Sequence, residues 1–182
     1  MDSVEIEYLI KDSVLVKRKG DTLFFTVSDN KKITLINVPE ITISPNNDTS
    51  INDVNYAQYS YLGFNKDIEA YLVYGSFYEW VNFLLIDKRT GDTTVTCQEP
   101  TISPNKEYFI CGNSSLSYDE NFNGLEFYKN SHKPILISSR YLEKWGPAEI
   151  KWLDNNSLLI KCDVLDSSGT NFQEQYLKLH WK

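Results

Sequence analysis

Histidine, cysteine and long apolar runs are scarce in this sequence of 182 residues, which has two His and three Cys. The thiols are Cys97, Cys111 and Cys162, and none belongs to a C-x-x-C pair. Three such residues cannot form a closed set of disulfides, and their spacing does not suit zinc. Cys111 and Cys162 sit inside apolar runs, "YFIC" and "LLIKC", where a small buried thiol is the expectation. Export would leave room for one disulfide and one free thiol. Cys97 stands beside Gln98 and Glu99, an acidic setting that disfavours a thiolate nucleophile. His132 falls in a turn ("NSHKP") and His180 is one residue from Trp181 in the last strand; both are expected at the surface, and they make a poor metal pair.

Other motifs are missing too. No G-x-S-x-G elbow, G-x-G-x-x-G or G-x-x-x-x-G-K-[ST] occurs, so no cofactor is expected and no nucleophile stands out. No stretch approaches the length of a membrane-spanning helix. The opening "MDSVEIEYLI" lacks the basic and apolar regions of an export signal. The expected location is cytoplasmic or, if such a signal has been removed, periplasmic or envelope-anchored. The abundance of Asn, Thr, Ser and Tyr favours the envelope. Helix signals are almost absent; the best is "SSRYLEKWG" at residues 138–146, one or two turns long.

What is present points to a globular β protein. Hydrophobic residues make up 41% and aromatics 14% of the chain, a composition that can fill a core and cover half-buried pleated surfaces. At this length one domain is the default, and roughly 70% of the unfolded surface can be buried. The net charge of -7 argues against nucleic acid or an anionic membrane, since both require a basic face. It suits solubility, or a basic partner protein. The cluster "KRKGD" at residues 17–21 reads as a solvated turn.

The chain repeats itself. "TISPN" occurs at residues 42–46 and again at 101–105, and "WLDNNSLLIKC" echoes it at 152–162. Aligning Asn105 with Asn156 brings Cys111 and Cys162 into register. "FFTVSDNKKITLIN", "FLLIDKRTGDTTVT" and "LEFYKNSHKPILIS" each read as strand, polar turn, strand, while "QYLKLHWK" is a first strand with no partner after it. The unit is a meander of four antiparallel strands with a period of about 40 to 55 residues. The predicted units are about 1–55, 56–98, 99–140 and 147–182 of a single all-β domain. The recurring phrase is the turn between the first two strands: Pro sets φ, and Asn tolerates positive φ. A lone sheet cannot cover both of its faces, so such units stack.

"ISPNKEYFI" resembles the SPDGK-strand phrase of TolB-like and WD-type β-propeller blades, and "LLIDKRTGDTTVT" resembles the hairpin that closes a blade. The resemblance covers roughly residues 56–182. The usual Asp-Gly is Asn-Lys or Asn-Asn here, and no Trp-Asp pair is present. The chain is also similar to small bacterial envelope proteins or lipoproteins with no assigned activity. The resemblance implies a small propeller-like stack and a binding role, and it carries no catalytic residues. Three units and a fragment are fewer than ordinary closure takes. Either the N-terminal hairpin "DSVLVKRKGDTLFFTV" completes the last sheet, or the sheets form an open sandwich or barrel-like wedge.

Candidate binding residues lie in the loops between second and third strands: "YGSFYEW", "GNSSLSYDENFNG" and "DVLDSSGTN". Tyr78, Glu79 and Trp80, with Tyr118, Asp119 and Glu120, place aromatics beside carboxylates, a composition used in protein recognition. The plain alternative is rim packing of an aromatic-rich sheet. Asp119, Glu120, Asn121 and Asn123 could offer oxygens to calcium, but their spacing is not the D-x-D-x-D-G pattern, and a solvated loop is favoured. Trp145, with Gly146 and Pro147, reads as a structural connection. The leading functional expectation is a non-enzymatic protein-binding module of the bacterial cell envelope. The alternative is an immunity-type or inhibitor protein neutralising a basic toxin or enzyme, and the third is a hydrolase with dispersed carboxylates. The partner is expected to be another protein, or a second copy paired through an unpaired edge strand.

Overall fold

The computed structural model describes residues 7–11, 14–19, 22–26, 32–35, 57–77, 80–116, 121–166 and 171–181. Its elements are fifteen β-strands, with no helix among the described residues. They form antiparallel sheets whose strands follow chain order. The first holds β1 (Glu7–Lys11), β2 (Val14–Lys19), β3 (Thr22–Thr26) and β4 (Lys32–Leu35). The second holds β5 (Ala57–Asn65), β6 (Ala70–Phe77), β7 (Val81–Asp87) and β8 (Thr93–Thr96). The third holds β9 (Thr101–Ile102), β10 (Tyr108–Asn113), β11 (Gly124–Lys129) and β12 (Ile135–Tyr141). The last has three strands: β13 (Trp145–Asp154), β14 (Ser157–Leu165) and β15 (Phe172–His180). The chain divides into two compact units, Met1–Val95 and Thr96–Lys182.

The stretch with the best helix signal forms no helix: residues 138–141 belong to β12, which pairs along β11 with a register shift beside Phe127 and Tyr128, and Trp145 already begins β13. Alternating backbone pairing wins over a helical propensity too short to nucleate by itself. The hairpin of β2 and β3 lies inside a four-stranded sheet, flanked by β1 and β4.

Four of the turns share one mechanism. The side-chain oxygen of the turn's first Asn or Asp accepts the N–H two residues ahead, giving the backbone a local partner where the ladder stops. Asn65 accepts from Asp67 at 3.0 Å, Asp87 from Arg89 at 2.8 Å, Asn105 from Glu107 at 3.2 Å and Asp154 from Asn156 at 2.7 Å. Asn105 does not take the positive φ expected of it. Lys106 does, at 60°, and Asn105 serves the turn as an acceptor instead. Between β7 and β8 the positive φ belongs to Gly91, at 76°, where the absent Cβ removes the steric cost.

In the Thr96–Lys182 unit, β13 lies across β9, β10 and β11. The seam is dry and apolar. Ile110, Leu158, Ile160 and Cys162 are each at most 3% exposed, and Leu125, Phe127, Trp145, Ile150, Trp152, Val164 and Trp181 pack around them. Side chains alternate along each strand, so Leu158, Ile160 and Cys162 share one face of β14. Trp152 adds a polar tie, its Nε1–H donating to the Thr101 carbonyl at 2.8 Å. Trp181 stands edge-on to Trp152 at 5.0 Å and to Phe127 at 5.1 Å between ring centres.

Equivalent ends of the two packed hairpins lie side by side. At one end Asn105 N–H donates to Asn155 Oδ1 at 3.0 Å; at the other Ser114 Oγ donates to Asp163 Oδ2 at 2.8 Å. Cys111 and Cys162 both occupy second strands of their sheets, six residues beyond Asn105 and Asn156.

Leu158→Ala empties part of this seam and is expected to cost about 3 kcal/mol; Trp145→Ala, also packed on it, should cost on the order of 3 kcal/mol. Urea unfolding would show both as lowered midpoints. A midpoint left unchanged by Leu158→Ala would rule out a packed seam.

Candidate functional site

Of the six candidate recognition residues, Tyr78, Glu79, Tyr118, Asp119 and Glu120 lie outside the described residues. Trp80 is described, just before β7. Its indole stacks on the Phe77 ring, with centroids 3.8 Å apart and planes 11° from parallel. Phe77 N–H donates to the Trp80 carbonyl at 2.9 Å, which ties the end of β6 to the start of β7. Trp80 remains 45% exposed. The stack restrains the indole while leaving much of it in water. Such an aromatic can dock a partner without losing much side-chain freedom.

The loop between β10 and β11 is anchored at its end by Asn123, which is 1% exposed. Asn123 Oδ1 accepts from Ser115 N–H at 2.9 Å. Its Nδ2 donates to the Leu142 carbonyl and, at 3.1 Å, to the Trp145 carbonyl. Its own carbonyl accepts from Leu142 N–H at 2.9 Å. The side-chain amide is thus spent on backbone on both sides of the β12–β13 connection. That role differs from the calcium oxygen considered from sequence. The packing is tight here: a Cβ on Gly146 would lie 2.6 Å from Asn123 Oδ1, and one on Gly124 only 2.0 Å from the Arg140 carbonyl oxygen.

Cys97, Cys111 and Cys162 are all free thiols. Burial pushes the Cys97 and Cys111 thiols well above their ordinary value, and the Glu126 carboxylate pushes them further. Glu126 accepts from Cys97 N–H at 3.0 Å and from the Tyr128 hydroxyl at 3.1 Å. Tyr128 is raised by the same two causes, burial first. Cys162 is raised by burial and then by Asp163. The acid beside Cys97 is therefore Glu126, 29 residues away in sequence, and not the expected Glu99, which acts on Cys111. A thiol held protonated is a poor nucleophile and a poor metal ligand. Among the described residues no group of three His, Cys, Asp or Glu could hold a metal ion.

A serine and a histidine do meet. Ser157 Oγ and His180 Nδ1 are hydrogen-bonded at 2.9 Å, near the Asp154 carboxylate. The order of contacts differs from that of a catalytic triad. Asp154 bonds Asn156 N–H and Ser157, which holds its carboxyl below the usual range, and it does not orient the imidazole through a bond of its own. Ser157 is 3% exposed. The three residues clasp the β13–β14 turn to the end of β15, a clasp closed by Trp181 N–H donating to the Asn156 carbonyl at 3.1 Å.

The unpaired terminal strand was expected from sequence; the exposed edge at β12 was not. β12 presents Ile135, Leu136, Ile137 and Tyr141, and β15 presents Phe172, Tyr176, Leu177 and Leu179. The signal was there in part: "PILIS" and "QYLKLHW" carry more apolar residues than an outer strand needs. Among the described residues no helix is long and apolar enough to cross a membrane. No protein-family model matches this chain, and no curated protein is significantly similar to it.

Thiol reagents should label Cys111 and Cys162 only after unfolding, and Cys97 slowly before it. Labelling of all three in the folded protein at the rate of a free thiol would refute the burial. Thiols raised in the folded state contribute stability fully below their ordinary value of 9.0, and that contribution falls as the pH rises beyond it. Urea midpoints are expected to hold from neutral pH to about pH 8.5 and then to decline. Asn123→Ala leaves backbone groups without partners and should cost more than about 2 kcal/mol. Thermal melting would read this loss.

Proposed function

We propose that the protein is a non-enzymatic binding module that recognises another protein through the aromatic and acidic loops between second and third strands of its sheets. The observation that carries this reading is Trp80, restrained on Phe77 yet 45% exposed. Solvent-facing aromatics on rigid partners supply contact area at low entropic cost. Tyr78 and Glu79 flank it in sequence, and Tyr118, Asp119 and Glu120 repeat the combination in the next such loop. We further propose that the sheets are blade-like units of a small propeller-like stack, as in TolB-like and WD-type proteins, and that the module works in the bacterial cell envelope.

Support for a non-catalytic role comes from the thiols, which burial and Glu126 keep protonated, and from the buried oxygen of Ser157. The net charge of -7 favours a second reading for the partner's identity: a basic toxin or enzyme, neutralised by this chain as an immunity-type inhibitor. Both readings use the same loops.

Capture of partners from the native source, repeated over a salt series, tests the proposal. Tyr78→Ala, Trp80→Ala and Tyr118→Ala should each weaken the captured partner by more than about 1 kcal/mol. Trp80→Ala should do so with little change in melting temperature, because its ring is half in water. Affinity unchanged in all three variants would remove the loops from consideration. A steep fall in binding with salt would favour a basic partner, and a shallow one an apolar contact.

A further inference from the structure

The last sheet ends in an open edge. β15 is bonded along one side to β14, from Ser157 opposite His180 to Leu165 opposite Phe172, and no described strand pairs with its other side. The other three sheets each contain four strands, and this one contains three. All nine residues of β15 are exposed, including Phe172, Tyr176, Leu177 and Leu179. Edge strands that stay unpaired are usually short, interrupted by Pro or bulged; β15 is long and pairs with β14 without a register shift.

We infer that β15 takes a second copy of this chain as its fourth strand, antiparallel about a two-fold axis through Tyr176. The sequence of the strand, "FQEQYLKLH", is complementary to itself in that arrangement. Full overlap of the nine residues places Tyr176 opposite Tyr176 and Phe172 opposite His180. It also places Glu174 opposite Lys178, twice, once on each side of the axis. Moving the register by two residues leaves strand ends unpaired and sets Glu174 against Tyr176 or His180. The register of greatest overlap is therefore also the one that pairs opposite charges.

The faces match as well. Gln173, Gln175, Leu177 and Leu179 share one face of β15, and Leu177 and Leu179 lie opposite Ile160 and Leu158 of the buried seam. In the two-fold pair this face continues into the same face of the second copy, so the half-exposed leucines meet the partner's glutamine stems. Phe172, Glu174, Tyr176, Lys178 and His180 form the other face. There Glu174 already contacts Lys161 at 2.7 Å, and Lys178 of the second copy would bring it a second cation. A β15 pair would form whether or not the loops bind another protein. A two-strand contact lies at the small end of specific interfaces, so weak, concentration-dependent association is expected.

Sedimentation velocity of the full chain over a concentration series tests this, and a monomer–dimer equilibrium is expected. Glu174→Lys and Lys178→Glu each set like charges across the axis and should raise the dissociation constant about tenfold or more. The double variant E174K/K178E restores opposite charges and should recover the dimer. Loss of the Lys161 contact alone would not produce that rescue, and Lys178→Glu leaves that contact intact. Hydrogen exchange of the β15 amides should slow as concentration rises. A monomer at every concentration, single variants that still dimerise, or a double variant that does not recover would each overturn the inference. So would β15 amides protected equally at all dilutions, which would assign the edge to a segment of the same chain.

Discussion

A flat antiparallel meander has two faces and can bury neither alone. That constraint organises the Thr96–Lys182 unit. Ile110 from one sheet and Leu158, Ile160 and Cys162 from the next are removed from water only because β13 and β14 lie against β10. Partial burial of Trp152, Trp181 and Phe127 at the margin of the seam follows from the same stacking. The polar ties at its two ends, Asn105 to Asn155 and Ser114 to Asp163, have geometry only because the apolar contact holds the hairpins together. Apolar burial supplies the energy, and these bonds select the alignment.

The same constraint creates the surfaces. A sheet that stacks through its faces still has edges, and in this unit β12 and β15 are two of them. Both carry apolar side chains that stacking cannot reach. Loops inherit a related problem. The end of the segment between β10 and β11 is held by Asn123, whose amide bonds the Leu142 and Trp145 carbonyls. Between β6 and β7 the turn is short, and ring stacking of Trp80 on Phe77 does the restraining. In the one case order comes from hydrogen bonds inside, and in the other from aromatic contact outside.

Much of the strand pattern was legible in the sequence. The hairpins ending in Thr96 and Ser138, the turn at Asn105 and its counterpart at Asn156, and the thiols in second strands could all be read from alternation and turn chemistry. The faint helix signal at residues 138–146 has a plain cause. Arg140, Leu142, Glu143 and Lys144 favour no strand by themselves; pairing with β11 holds Arg140 and Tyr141, and bonds to Asn123 hold Leu142. The role of Asn123 was likewise invisible, because its partners lie 8 to 22 residues away. The carboxylate acting on Cys97 was sought next door, at Glu99, while Glu126 reaches it from a strand 29 residues distant.

By itself the sequence determined local conformation: which segments extend, and where Asn or Asp oxygens capture a nearby N–H to turn the chain. These are decided by contacts a few residues apart, so composition and order suffice. Only the tertiary structure decided which faces are dry, which carboxylate acts on which thiol, and which side chains the open edge of β15 presents. Those properties depend on what another, distant segment places opposite each residue, and nothing in a local pattern encodes that neighbour.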